Sequence, residues 1–173
     1  MPSWQVLATN ALLYGAVLSL VLGAVITISF VLAPDIWVGD YPPDIRAKFG
    51  EMSPRAARLR PFVAVPFFVS LAAIPLLALS RLADRVGAVP FLPAFASTFL
   101  VLLVFNTFDL VLADWLIFCK IQPRRVILPG TEGMAGYRDY RFHFVGFLKG
   151  LGFCLAAALI IAGAWISWRG ISV

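Results

Sequence analysis

Four long hydrophobic runs dominate this chain and restrict the folds that it can adopt. They cover about Leu7–Leu32, Pro61–Leu79, Phe91–Cys119 and Phe144–Trp168. Each reaches the roughly 20 residues that a helix needs to cross a bilayer core. Membrane-spanning strands would give runs of about ten residues with alternating polarity, and the sequence has no such pattern. The runs predict an all-α polytopic membrane protein, a bundle of four transmembrane helices.

The composition fits a chain whose surroundings are mostly lipid. Of its 173 residues, 61% are hydrophobic and 13% are charged, whereas a soluble domain has about 25% charged residues. The four spans leave no room for a second globular domain, so residues 1–173 are predicted to form a single integral membrane domain. We expect the first run to be retained, because it lacks a basic leader and exceeds a signal-peptide core in length.

The basic residues are distributed unevenly between the two ends of the predicted bundle. Ten lie in the two long loops between runs one and two and between runs three and four, whereas three, Arg81, Arg85 and Arg169, lie on the other side. The positive-inside rule places the long loops in the cytoplasm and both termini outside, in a plasma (inner) membrane. Topology and anionic lipid head groups explain the net charge of +5 better than nucleic acid does.

Cysteine and histidine usage argues against a metal or a cofactor. Cys119 and Cys154 are isolated, and His143 is the only histidine. There is no CxxC pair, and one histidine cannot supply bis-histidine haem ligation within one chain. We therefore expect no metal site and no cofactor.

Polar side chains interrupt the third run, "FNTFDLVLADWLIF". In a regular α-helix Asn106 and Asp109 share a face near the bilayer centre, about 60° apart. Asp114 lies nearer the loop side, about 140° around the helix from Asp109. This geometry disfavours a pair of carboxylates acting together. The fourth run adds Lys149, whose depth is closer to that of Asp114.

Asp109 has three possible roles. A carboxyl group near the bilayer centre is costly and usually faces the interior of a bundle. Without a basic partner Asp109 is expected to be protonated and to donate a hydrogen bond. The possible partners are Asn10, Ser19, Thr27, Ser70 and carbonyl groups freed by Pro66 and Pro75. The residue could be a structural hydrogen-bond node, a proton or ion relay, or a catalytic group.

The loop before the fourth run, "IQPRRVILPGTEGMAGYRDYRFHF", has the densest set of functional groups. His143 is the candidate general acid or base, with Glu132 or Asp139 to orient it. Arginines are the candidate ligands of anions or lipid head groups: Arg124, Arg125, Arg138 and Arg141 here, with Arg58 and Arg60 in the first loop. The alternative is a loop whose arginines only enforce topology.

Small residues recur at every fourth position of the first run, at Ala11, Gly15, Ser19, Gly23 and Thr27. This spacing favours close helix packing, either within one chain or between chains. In the first loop, Pro42-Pro43 predicts a short helix with Ile45 and Phe49 on one face, and Ser53-Pro54 is typical of a helix start.

Three functions are compatible with these features. The first expectation is a non-enzymatic accessory or self-associating membrane protein, a homo-oligomer or the partner of another membrane subunit, in contact with membrane lipids and their anionic head groups. The second is a small-solute or proton-linked transporter that uses Asp109. The third is a membrane-embedded enzyme that acts on a lipid or an anionic head group through residues 124–143.

Overall fold

The computed structural model describes residues 2–171, with side chains described through Trp168, so the side chain of Arg169 lies outside the described part. Its α-helices are α1 (Trp4–Leu32), α2 (Pro43–Phe49), α3 (Pro54–Val86), α4 (Phe91–Phe108) and α5 (Tyr140–Ile171). A π-helix, Asp109–Ile121, continues α4 directly, and two 3₁₀ helices cover Pro34–Asp40 and Ala135–Arg138. Four helices, α1, α3, α4 with its π-helical continuation, and α5, have mean hydropathies of 2.0 to 2.5 and are long enough to cross a membrane. The predicted all-α four-helix membrane bundle is confirmed.

The spans are longer than the hydrophobic runs because local capping, not hydropathy, sets the helix ends. The clearest case is α3, which begins seven residues before its apolar run at Pro61. The Ser53 hydroxyl accepts a hydrogen bond from the Ala56 N–H at 3.2 Å, and Pro54 occupies the first helical position. These are the features of a helix N-terminus. At the other end Gly87, with φ of 77°, ends the helix in a conformation that suits glycine.

The small-residue stripe of α1 is used inside the chain. α1 runs parallel to α4 and packs closely against it. A Cβ atom added at Gly15 would lie 2.5 Å from the Cβ of Val104, and one at Gly23 would lie 3.4 Å from the Phe108 ring. The absence of side chains at these positions lets the two backbones approach, as small residues do in membrane helices. The stripe is therefore an internal packing surface over the stretch that contains Gly15 and Gly23.

The two long loops fold together into a layer at one end of the bundle. We call residues 33–53 and 122–139 the loop layer, and this end the loop end. The Tyr41 hydroxyl donates to the Val126 carbonyl at 2.7 Å, and the Leu128 N–H donates to the Tyr137 hydroxyl at 2.9 Å. Ile45 of α2 is fully buried in this layer. The expected short helix forms, and its Ile45 side packs against the rest of the loop layer.

Candidate functional site

The π-helix changes which polar residues of the third span share a face. Its hydrogen bonds join residues five apart, as in the 2.8 Å bond from the Gln122 N–H to the Ile117 carbonyl. Residues i and i+5 therefore lie above one another, as i and i+4 do in an α-helix. Asp109 and Asp114 are five apart and both lie in this segment. The expectation that they point about 140° apart is corrected, because it assumed α-helical geometry.

His143 is the residue that α5 contributes to this face. Its Nδ1 atom lies 2.9 Å from Oδ1 of Asp114, and its side chain is only 5% exposed against 28% for Asp114. The rings of Phe118 and Phe142 flank the imidazole, with centroids 4.7 and 5.3 Å away. The buried Nε2 atom has no hydrogen-bond partner among the described residues. One nitrogen of the imidazole is thus held by a carboxylate while the other is unsatisfied.

Two contacts hold the start of α5 in place beside the π-helix. The Asp139 carboxylate accepts a hydrogen bond from the Phe142 N–H at 2.9 Å, as a residue just before a helix does. The Trp115 indole N–H donates to the Tyr140 carbonyl at 3.4 Å, and the two rings are in edge contact. These contacts fix the position of His143, which follows in the first turn of α5.

Asp109 is partly buried and makes no side-chain hydrogen bond or ion pair within the described part of the chain. It lies close enough to Asp114, His143 and Asp40 to interact with them electrostatically. The four polar residues that were predicted as hydrogen-bond partners of Asp109 form their hydrogen bonds with other residues. They are Asn10 with Ala78 and Ser97, Ser19 with Gly15, Thr27 with Gly23, and Ser70 with Pro66.

Asn106 forms its hydrogen bond with α5 and not with Asp109 or Asp114. The Asn106 amide donates to the Phe147 carbonyl of α5 at 3.2 Å. A Cβ atom added at Gly150 would collide with the Asn106 side-chain oxygen. Asn106 is therefore a packing contact between α4 and α5. Lys149, the other intramembrane candidate, is exposed and forms no ion pair with any described residue.

At the loop end, Asp40 adds a third carboxylate near the surface, and we call Asp109, Asp114 and Asp40 the acidic cluster. It interacts electrostatically with Asp114, Arg60 and Arg46. Although Asp40 is exposed by surface area, the protein atoms packed around its carboxyl group raise its pKa above the ordinary value, and Arg60 and Arg46 act in the opposite direction. Next to it, burial raises the pKa of Tyr41, which therefore remains a hydrogen-bond donor.

The loop residues that the sequence proposed as catalytic partners of His143 have other contacts. The Glu132 carboxylate accepts from the Gly130 N–H at 3.2 Å, and Asp139 binds the start of α5. Neither forms an ion pair with His143 in the described region. Asp114, which belongs to a different span, takes the position beside His143 that was predicted for these two carboxylates. All six candidate arginines are exposed: Arg58, Arg60, Arg124, Arg125, Arg138 and Arg141.

A further polar contact, between the two halves of the loop layer, was not predicted. The Asp44 carboxylate of α2 accepts a hydrogen bond from the Gly136 N–H at 2.9 Å, and a Cβ atom added at Gly136 would collide with that carboxylate. The glycine therefore allows the contact. A shallow polar depression beside it is lined by Asp44, Gly136, Arg138 and Asp139.

Comparisons of the chain with protein-family models, with curated proteins and with solved structures find no match. Among the described residues, no group of three or more histidine, cysteine, aspartate or glutamate side chains is placed to hold a metal ion.

Proposed function

We propose that this protein carries protons across the membrane, and that Asp109, Asp114 and His143 form its proton-binding site. The observation that carries the proposal is the 2.9 Å contact between Asp114 and the buried His143. Histidine changes its charge close to physiological pH, and carboxylates and histidines inside membrane proteins commonly form proton relays.

The local arrangement supports proton exchange rather than a static ion pair. His143 has an unsatisfied ring nitrogen, and Asp109 has no hydrogen-bond partner among the described residues. Two acids and an imidazole share this region, while Lys149 does not pair with them. A proton bound to any of the three groups would reduce the repulsion between the carboxylates.

The side from which protons reach the site follows from Asp40 and its interaction with the site. Asp40, which interacts with Asp114, reaches the surface at the loop end, and Arg60 lies near it. By the positive-inside rule this end faces the cytoplasm of a plasma (inner) membrane. The cluster would then exchange protons with the cytoplasm through Asp40. The far half of the bundle is closed by tightly packed buried residues such as Leu7, Leu79 and Leu82, so release on that side requires the helices to move apart.

Proton flux into liposomes that contain the purified protein tests the proposal. A potassium diffusion potential drives the flux, and a trapped pH-sensitive dye reports it. We expect flux above that of empty liposomes, its loss in Asp109→Asn and a strong reduction in His143→Gln. Asp84→Asn is the matched control, because Asp84 is an exposed acid paired with Arg81 at the other end of α3. Flux equal to that of empty liposomes, or equal flux in Asp109→Asn and Asp84→Asn, would contradict the proposal.

An accessory or self-associating role is the second candidate, and one observation favours it. Only 17% of the most apolar window of α5 is buried, against 28% in each of the other spans. α5 packs chiefly against α4, and its exposed Lys149 lies within the span without an ion-pair partner in the described chain. A neighbouring subunit that covers this face would remove the charge from lipid. The protein mass measured in detergent by light scattering tests this role for self-association: an oligomer that Lys149→Leu dissociates supports it, and a monomer contradicts it.

A further inference from the structure

A groove opens between α1 and α3 on the outer surface of the bundle, near the loop end. Its volume is about 190 Å³, and its lining is almost entirely apolar. The residues that line it are Val25, Ile28 and Leu32 of α1 and Leu59, Phe62, Val63 and Pro66 of α3. From Leu32 to Val25 it extends roughly 10 Å along α1, at 1.5 Å per residue. In a membrane, this surface is in contact with acyl chains.

Arginines from two segments lie at the loop end of the groove. The Arg125 guanidinium donates to the Val31 carbonyl at 3.3 Å, which places it beside Leu32 at the end of α1. Arg58 precedes Phe62 by four residues on α3, so the two share a helix face. Side chains in a helix tilt toward its N-terminus, which directs Arg58 toward the loop end and away from the membrane centre.

These arginines have no carboxylate partner. Arg58, Arg125 and the neighbouring Arg55 form no ion pair with any described residue, whereas Arg81 pairs with Asp84 at 3.8 Å. All three are exposed. A guanidinium group has five N–H donors, and the bond to Val31 uses one donor of Arg125. The site thus combines uncompensated positive charge with an apolar groove that runs from it toward the membrane centre.

We propose that this groove binds an anionic phospholipid, with one acyl chain along α1 and α3 and the phosphate between Arg58 and Arg125. Guanidinium groups bind phosphate oxygens in pairs of hydrogen bonds. The apolar lining accepts the chain, and the charge of the arginines selects anionic lipid over zwitterionic lipid. This site lies on the α1–α3 surface and does not depend on the proton-linked function proposed above.

Native mass spectrometry of the detergent-purified protein tests the charge selection. The probes are phosphatidylglycerol and phosphatidylcholine with the same acyl chains. We expect the wild type to bind one phosphatidylglycerol about tenfold more tightly than phosphatidylcholine, because the two arginines attract a head group with a net negative charge more strongly than a zwitterionic one. Arg58→Gln/Arg125→Gln should abolish this preference. Lys120→Gln/Arg141→Gln removes the same charge at the loop end but away from α1 and α3, and should preserve the preference.

A second pair of variants tests the groove. Ile28→Trp fills the groove and should lower the affinity for phosphatidylglycerol at least fivefold. Leu20→Trp adds the same bulk at a lipid-exposed position of α1 outside the groove and should leave the affinity unchanged. If the Arg125 variant fails to fold because it loses the Val31 contact, Arg55→Gln/Arg58→Gln replaces it. The proposal is overturned if the wild type does not distinguish the two lipids, if the two charge pairs have equal effects, or if Ile28→Trp binds as the wild type does.

Discussion

The contact between Asp114 and His143 should stabilise the folded bundle, and a double-mutant cycle can measure its contribution. The cycle compares Asp114→Ala, His143→Ala and the double variant with the wild type. The 2.9 Å distance and the 5% exposure of His143 place the contact among buried interactions, whereas the 28% exposure of Asp114 admits some screening. A hydrogen bond that involves a charged group contributes about 1.5–3 kcal/mol, and an exposed ion pair about 0.2–1 kcal/mol. We expect a coupling energy of about 1–2 kcal/mol.

Reversible unfolding in mixed micelles, followed by circular dichroism, provides the free energies of unfolding. Each single variant removes the contact, so the second substitution has less left to remove. The double variant should therefore lose about 1–2 kcal/mol less than the sum of the two single losses. Additive losses within about 0.5 kcal/mol would refute the reasoning, because they would mean that the two side chains do not interact in the folded state. Asp84→Ala combined with His143→Ala is the control and should be additive, because Asp84 pairs with Arg81 at a distant end of α3.

Four further substitutions test packing and charge elsewhere. Gly15→Ala should lower the free energy of unfolding by about 1–3 kcal/mol, because the added Cβ overpacks the contact with Val104. Gly146→Ala is the control: its added Cβ meets nothing within 4 Å, so the free energy of unfolding should rise or stay unchanged. Chemical unfolding compares the two variants. Asp44→Ala removes the carboxylate that accepts from Gly136 at 2.9 Å, and should cost about 1–2 kcal/mol and speed proteolysis within residues 122–139. The raised pKa of Asp40 means that its ionised form disfavours the fold, so Asp40→Asn should unfold at a higher temperature than the wild type at neutral pH. The difference in unfolding temperature should shrink as the pH falls through that pKa. A difference that stays the same at all pH values would contradict this cause.

The sequence was sufficient to predict the membrane bundle because hydropathy and helix capping are local properties. Four apolar runs of sufficient length predict four spans, and Ser53-Pro54 marks the start of α3 where the structure has it. The sequence could not predict that the small-residue stripe of α1 packs against a helix of the same chain. Small residues at every fourth position allow close approach but do not identify the partner helix, and only the three-dimensional packing places Gly15 against Val104.

The sequence pointed to the residues of the candidate site but not to the contact between Asp114 and His143. Asp109, Asp114 and His143 were each recognised as chemically important, yet His143 was assigned to carboxylates near it in the chain. Asp139 instead holds the start of α5, because its position before a helix favours bonding to a free backbone N–H. The partner of His143 is 29 residues away on another span. The residues that meet between two spans depend on how each helix is rotated about its own axis. Hydropathy does not specify that rotation when a run is apolar on every side.

The helix type of the third span decides whether the two acids can act together. In an α-helix, Asp109 and Asp114 would lie about 140° apart, and a carboxylate pair would be excluded. In the π-helix they lie on one face, and Asp114 also contacts His143. π-helical segments are rare and are frequently found at functional sites, and this one begins at the first of the two acids. A return of the segment to α-helical hydrogen bonding would turn Asp114 away from Asp109, so the π-helical geometry is what keeps these two acids on one face.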